Sequence, residues 1–519
     1  MTERGHAIRV LTVNTLAFTV CFMNWTLYGV LVTFLVDNGI FRWSASEVGW
    51  LIGIPILSGS VLRLPLGLAT DKWGGRPVYT ALLLTAAVPM YLVSVCDSYG
   101  AFLLAGLGFG LAGTAFAVGI AFTSVWWPRH LQGTALGIFG AGNAGAAITT
   151  LLAPTILMSL TSGGTSLEGW RMLPKLYAAA LVLAAVGVWL FTKNRIPAGS
   201  GSKTLGQRLE PLKRVRVWRF GLYYFLVFGG FVALAQWLVP YYLNVYAMSL
   251  TMAGLLASVN SLPSGLVRAL GGWLSDKFGP RVVMFAVFGV CIVCCGLLIV
   301  PQMDIRSPGS GVQASVAGKV TQVGEATIVV DSPKVGPKRY AYVRKSGELV
   351  SEEERRDRLL VLPRWMSWQE AVVKEGQEVK KKEVIARGTT QIFFQANVWI
   401  FTILSFLVGA AMGIGKAAVY RLIPDYFPND VGVVGGIVGV IGGLGGFVCP
   451  VIFGYLLQWT GIWTTCWMFF FLLSIGCLLW MHFVVRRIVR QQAPDTLHLI
   501  EHGHRPQDAA SPPPPEANA

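Results

Sequence analysis

Acidic residues are scarce in this chain, and the few present avoid its apolar runs. Asp and Glu number 26 among 519 residues, against 42 Lys and Arg, and all charged residues together make up 13%. Asp37, Glu47, Asp71, Asp276 and Asp425 all sit at the ends of runs, never in their central part. A cation inside such a run therefore finds no carboxylate at its own depth. The sequence also lacks a Walker-type phosphate loop, a metal-ligand spacing and a nucleophile–base pairing. Enzyme chemistry, a metal and a cofactor are accordingly not expected, and no residue is assigned a catalytic role. The eight cysteines lie in or at the ends of apolar runs. Even the Cys291-Ile-Val-Cys294-Cys295 cluster has no His or carboxylate beside it, which reads as packing.

What the chain does have is apolar surface. Hydrophobic residues make up 54%, the mean hydropathy is +0.58, and 60 glycines offer close helix contact. These values fit a polytopic membrane protein. Twelve runs are long enough to cross a bilayer, at 10–37, 45–70, 77–96, 100–126, 131–160, 174–192, 218–246, 251–275, 281–301, 396–423, 432–458 and 462–486. The first is too long, and lacks the cleavage pattern, to be a removable signal peptide. Basic residues crowd the 193–219 connector, the loops after the second and eighth runs, and the end of the twelfth. By the positive-inside rule both termini are cytosolic, in a bacterial cytoplasmic (inner) membrane. The net charge of +16 is mostly this bias, so nucleic acid is not an expected partner.

One segment occurs twice. Arg63-Leu-Pro-Leu-Gly67-Leu-Ala-Thr-Asp71-Lys72-Trp-Gly74-Gly-Arg76 recurs as Arg268-Ala-Leu-Gly-Gly272-Trp-Leu-Ser-Asp276-Lys277-Phe-Gly279-Pro-Arg281. Phe116 stands twelve residues before Pro128, as Lys416 does before Pro428. The offset between copies is 205 residues at the arginines and 300 here, so about 95 extra residues lie between the ninth and tenth runs. The expected fold is an all-α membrane protein of twelve transmembrane helices in two six-helix pseudo-symmetric halves, with a small inserted β-rich extracytoplasmic domain. Its parts are an N-terminal half (1–192), a basic cytosolic linker (193–217), helices 7–9 (218–301), the insert (302–392), helices 10–12 (393–490) and a disordered cytosolic tail (491–519). The insert alternates at Gly318–Gly324 and Ala326–Val330, which predicts strands. Its Glu375-Gly-Gln377 and Val384-Ile-Ala-Arg-Gly388 stretches resemble the sandwich folds that carry biotin or lipoate. No lysine hairpin of that type is present, so a structural or partner-docking role is expected, for a partner the sequence does not name.

An intramembrane charge marks a ligand site or pathway by default. Arg63 and Arg268 each stand eight residues, about 12 Å of helix, from the loop Asp. Phe116 and Lys416 lie about 18 Å from their loop prolines, so all four fall near mid-membrane on one pseudo-two-fold axis. Guanidinium forks match a planar oxyanion, and a unit anion about 4 Å from one cation gains roughly 4 kcal/mol at an effective dielectric near 20. Glycine-rich stretches follow, with Gly137 and Gly140 in the fifth run and Gly436 and Gly439 in the eleventh. They serve tight sliding contact or close approach to a ligand. Asn143 among them has an amide able to donate to an anion. Asp71, Arg76, Asp276 and Arg281 are read as cytosolic gate latches between the halves, or as topology signals.

Taken together these segments resemble a known family. Gly67…Asp71-Lys-Trp-Gly-Gly-Arg76 is similar to the loop signature of the major facilitator superfamily. Phe116…Trp127-Pro128-Arg129 with Gly133-Thr-Ala-Leu-Gly137 and Asn143 resembles the nitrate signature of its nitrate/nitrite porters. Gly413-Ile-Gly-Lys416-Ala-Ala-Val-Tyr420 and the glycines of the eleventh run resemble the second such signature, and Phe228-Gly-Gly-Phe231 fits as well. The resemblance implies that Arg63 and Arg268 clamp nitrate or nitrite, that Phe116 stacks on it and that Asn143 donates to it. Phe139, Leu234 and Lys416 depart from the exchanger type and are similar to the branch of proton-linked nitrate importers. The insert belongs to neither pattern.

An anion entering a cell about 100 mV negative inside is opposed by roughly 2.3 kcal/mol, so uptake needs a counter-ion or protons. Lys416 is the only central group able to titrate, since arginine stays charged. It is either the proton-coupling group or a third fixed charge. The expectation is thus a nitrate/proton symporter working by alternating access as a monomer, with nitrate/nitrite antiport, small-monocarboxylate import and an anion sensor using the outer domain as alternatives.

Overall fold

The computed structural model describes residues 3–196, 210–300, 303–351, 362–394, 397–427 and 431–492. Most of the basic linker, Glu352–Arg358 and nearly all of the tail lie outside these residues.

Among the described residues eleven helices are long and apolar enough to cross a membrane, or twelve if one bent pair is a single span. In chain order they are α1 Glu3–Asp37, α2 Ala45–Trp73, α3 Gly75–Val95, α4 Tyr99–Ser124, α5 Thr134–Leu160, α6 Leu167–Phe191, α7 Val215–Tyr246, the pair α8 (Leu250–Gly265 and Arg268–Phe278), α9 Pro280–Leu298, α10 Val398–Tyr426, α11 Val433–Thr460 and α12 Thr465–Arg487. Their starts are written in the sequence. Ser44 and Glu47 form a reciprocal capping box at α2, Ser98 caps α4, Ser249 caps α8, and Pro280 opens α9. The duplicated segment repeats a backbone feature too. Gly74 and Gly279, at φ 85° and 84°, make the same left-handed turn after α2 and α8, where a side chain would be strained.

Five helices lose α-regularity close to the residues singled out above. α2 is interrupted at Leu62, α4 turns 3₁₀ over Gly110–Thr114, α5 over Ala141–Ala144, α7 becomes π over Phe225–Gly229, and α8 bends by 41° ahead of Arg268. In α2 the cause is visible, since Pro65 has no N–H for the Val61 carbonyl.

The helical unit is closed at one end. Antiparallel α2 and α11 meet through Gly49 on the Pro450 carbonyl, Gly53 on Phe447 and Gly443 on Ser60. α5 and α8 meet through Gly254 on the Thr150 carbonyl. Towards the opposite, basic end the same four helices part, and Gly67, Gly137, Gly272 and Gly436 have nothing within 4 Å of an added Cβ.

Residues Val300–Phe401 form a separate compact unit. β1 Met303–Gln313, β7 Val384–Phe394 and β5 Arg364–Ala371 make one antiparallel sheet in the order β1-β7-β5. β4 Gly336–Ala341, β3 Thr327–Ser332, β2 Gly318–Val323 and β6 Glu378–Val379 make the other. Val320, Ile328, Val330, Val379 and Ile385 fill the core. The two alternating stretches are the strands β2 and β3. β1 is an addition, because a Gly-Ser-rich strand exposed along most of its length has no alternation to read. Strand β7 also runs to Phe394, two residues past the expected edge of the insert.

Gly49→Val should force α2 off the Pro450 carbonyl and lower stability by about 1–3 kcal/mol. Thermal unfolding in detergent would read this as a depressed midpoint, whereas Gly289→Ala, with open space around it, should leave the midpoint unchanged.

Candidate anion-binding site

The two repeated arginines meet at one ring. The ζ-carbons of Arg63 and Arg268 each stand 5.6 Å from the centroid of Phe116. Arg63 is buried and donates from Nη1 to the Gly439 carbonyl at 2.8 Å and from Nε to the Gly113 carbonyl at 3.3 Å. Its Nη2 is buried without a partner, as is Nη1 of Arg268. Among the described residues neither guanidinium, nor Lys416, has a carboxylate partner. The pair is therefore held by carbonyl dipoles and aromatic faces, with two N–H-bearing nitrogens unspent.

Both halves build the cage. Arg63 lies 5.3 Å from the rings of Trp25 and Phe228, and Arg268 lies 5.7 Å from that of Tyr420. Phe228 stacks on Tyr224 at 5.0 Å and on Phe116 at 6.5 Å, and Tyr224 meets Tyr420 edge-on at 5.0 Å. Phe139 packs beside Phe116 at 6.3 Å and stacks on Phe18 at 4.7 Å, which fixes the shared ring from behind.

The glycines divide by position. A methyl group at Gly140 would stand 3.5 Å from Arg268 Nη1, and one at Gly439 would stand 3.1 Å from the Tyr420 hydroxyl. These two are close-approach glycines at the cage, and each serves the arginine of the opposite half. Gly137 and Gly436, a turn nearer the basic end, touch nothing.

Two expected residues sit differently. Asn143 is buried, but one amide hydrogen already goes to the Gly140 carbonyl at 2.9 Å, because the 3₁₀ turn brings that carbonyl within reach. Its Oδ1 is left without a partner. Lys416 is fully buried one aromatic layer away, with Nζ 3.3 Å from the Phe231 centroid and 5.9 Å from that of Phe228, donating to the Ser264 carbonyl at 3.4 Å. Its helix places it behind Phe228 and not on the Phe116 ring.

Three of the latch residues, Arg76, Asp276 and Arg281, find partners without crossing between the halves. Asp276 accepts from Arg421 at 2.8 Å, Arg281 donates to the Tyr426 hydroxyl, and Arg76 lies 4.2 Å from the Trp189 ring. Each of these partners belongs to the residue's own half, as the parting at the basic end requires.

Trp25, Tyr224 and Tyr420 escaped sequence reasoning. A signal existed for two of them: Tyr224 stands four residues before Phe228 and Tyr420 four after Lys416, on the same helix faces.

The two arginines differ in what they hold. Arg63→Met leaves the Gly113 and Gly439 carbonyls short of a donor, while Arg268→Met removes a cation that donates to no carbonyl among the described residues. We expect Arg63→Met to be the less stable by about 1–3 kcal/mol, measured as thermal unfolding of the two purified variants side by side.

The chain matches the model of the Major Facilitator Superfamily over residues 15–326 and 384–508. It is 37% identical to a probable nitrate/nitrite antiporter of Thermus thermophilus, with 95% of this chain and 94% of that protein covered. It is 25% identical to a nitrite extrusion protein of Bacillus subtilis, with 87% and 88% covered. Among solved structures, a bacterial homologue of the human lysosomal transporter Spinster, in an inward-facing and occupied conformation, aligns with a TM-score of 0.59 at 14% identity, covering 93% of this chain and 98% of that one. The fold and the duplicated motifs thus converge with these matches: the chain is a multi-pass membrane transporter and not an enzyme, and it belongs to the nitrate/nitrite porter family of the Major Facilitator Superfamily.

Proposed function

We propose that this protein carries nitrate or nitrite across the bacterial inner membrane by alternating access. The observation that supports this is the pair of guanidiniums on one phenylalanine ring, Arg63 buried and Arg268 half-buried, without a carboxylate partner among the described residues and each with a buried nitrogen awaiting an acceptor. A flat anion of three or four coplanar atoms fits the fork of each arginine and stacks on Phe116. The names of the similar proteins from Thermus and Bacillus favour nitrate and nitrite over a small carboxylate.

In this reading α8 is one bent span, which makes twelve, and the basic end with both termini is cytosolic. The structure then corresponds to a state open to the cytosol. The insert, placed between the ninth and tenth spans, faces outward. Arg63, Arg268 and Phe116 bind the anion. Asn143 tunes the Gly140 turn beneath Arg268, and Asp71, Arg76, Asp276 and Arg281 act at the cytosolic gate.

Lys416 is the proton-coupling residue in this proposal and acts across Phe228 on the bound anion. Exchange against nitrite is the second reading, favoured by the antiporter name of the 37% identical relative. Proteoliposomes separate the two. Under symport, a pH gradient alone drives labelled nitrate uptake, and Lys416→Thr lowers that uptake at least tenfold. Under exchange, uptake needs internal nitrite and ignores the gradient. Arg268→Gln should abolish either mode, and nitrate transport surviving that change would sink the anion-site reading itself.

A further inference from the structure

A second group of unneutralised arginines lies at the basic end of the C-terminal half, away from the Phe116 ring. α7 places Arg216, Arg219, Phe220 and Tyr223 on one face by their three- and four-residue spacing. Opposite them Arg281 stands in the first turn of α9, Tyr426 closes α10, and α12 brings Met481, Val484 and Val485. Between these elements is a half-open cleft lined by Arg219, Tyr223, Arg281 and Tyr426 together with Leu422, Met481, Val484 and Val485.

Its polar groups are unusually idle. Arg219 is only 7% exposed, and among the described residues it has no hydrogen bond and no carboxylate partner. Tyr223 is 1% exposed, and its hydroxyl is buried without any partner. Arg281 uses one nitrogen on the Tyr426 hydroxyl and lies 5.6 Å from that ring, with Arg216 at 5.4 Å. The carboxylate on this stretch of α10, Asp425, is already engaged by Arg421 at 2.9 Å. A cluster of cations around a buried, unused hydroxyl at a helix start is poised for an oxyanion.

We propose that this cleft binds a phosphate group, and that the phosphate is the phosphodiester of an anionic phospholipid in the leaflet at the basic end of the bundle. Arg216, Arg219, Arg281 and the Tyr223 hydroxyl hold the phosphate oxygens. The apolar wall of Leu422, Met481, Val484 and Val485 takes the glycerol and first acyl carbons, a surface that a free inorganic ion would leave unused. Basic clefts between membrane helices at the cytosolic side hold lipid headgroups on this principle. Nothing in the inference depends on what the Phe116 cage carries.

Native mass spectrometry of the full-length protein, with phosphatidylglycerol or phosphatidylcholine added to the detergent, tests it. Wild type should retain phosphatidylglycerol in preference to phosphatidylcholine. Tyr223→Phe removes a hydroxyl that bonds nothing in the protein, so folding is spared, and retention should fall roughly threefold to tenfold. Arg219→Gln should reduce it tenfold or more, and Arg268→Gln, outside the cleft, should leave it at the wild-type value. Equal retention by wild type, Tyr223→Phe and Arg219→Gln overturns the site. Thermal protection by inorganic phosphate alone, matching that by phosphatidylglycerol and lost in Tyr223→Phe, overturns the lipid as its occupant.

Discussion

Two guanidinium groups that converge inside a bundle, neither with a carboxylate partner among the described residues, are the constraint on which the rest of this structure depends. A buried charge is tolerated only if something replaces its water. Arg63 obtains two carbonyls and three aromatic faces; Arg268 obtains two aromatic faces and an open side towards Gly140. Charge-assisted hydrogen bonds contribute about 1.5–3 kcal/mol each and cation–π contacts about 0.5–2 kcal/mol. Neither kind of contact cancels the charge. The field that remains is what an entering anion meets.

That arrangement explains why helices are broken where they are. A regular α-helix commits its carbonyls to its own N–H groups and lends at most a second lone pair, as Gly439 of α11 does to Arg63, whereas a break frees a carbonyl outright. The 3₁₀ turn in α4 frees the Gly113 carbonyl for Arg63, and the 3₁₀ turn in α5 offers the Gly140 carbonyl to Asn143. The π turn in α7 carries Phe228 between Arg63 and Lys416. Local irregularity at one depth across five helices is thus the backbone's share in holding three cations.

Much of this was legible in the chain because it is duplicated and because apolar length is a strong signal. The repeat placed Arg63 and Arg268 at one depth, and their convergence on Phe116 needed only that equivalence. The absence of central carboxylates was equally plain. What periodicity could not show is which face of a helix turns inward after a break. Lys416 and Phe116 correspond in the repeat, yet a π turn on α7 puts Phe228 between them. Tyr224 and Tyr420 look like ordinary span aromatics until two helices cross. The strand β1 was hidden for a different reason: with both faces mostly exposed, its residues had no pattern to keep.

The symmetry has a consequence for movement between the halves. Arg63 belongs to the first half and donates to Gly439 of the second; Arg268 belongs to the second and lies against Gly140 of the first. Each cation therefore has part of its compensation in the half it does not belong to, Arg63 in the Gly439 carbonyl and the Phe228 ring and Arg268 in the Phe116 ring. Rocking one half against the other strips that compensation from both arginines at once, and a buried cation without partners resists the change. An anion seated between the forks would travel with the guanidiniums and offset one of their two charges. The empty cage and the filled cage thus face different barriers to the same motion, and the difference grows with the number of contacts each arginine lends across the interface. Coupling of occupancy to movement needs no separate device here, because it follows from where the charges are and from what has been left out around them.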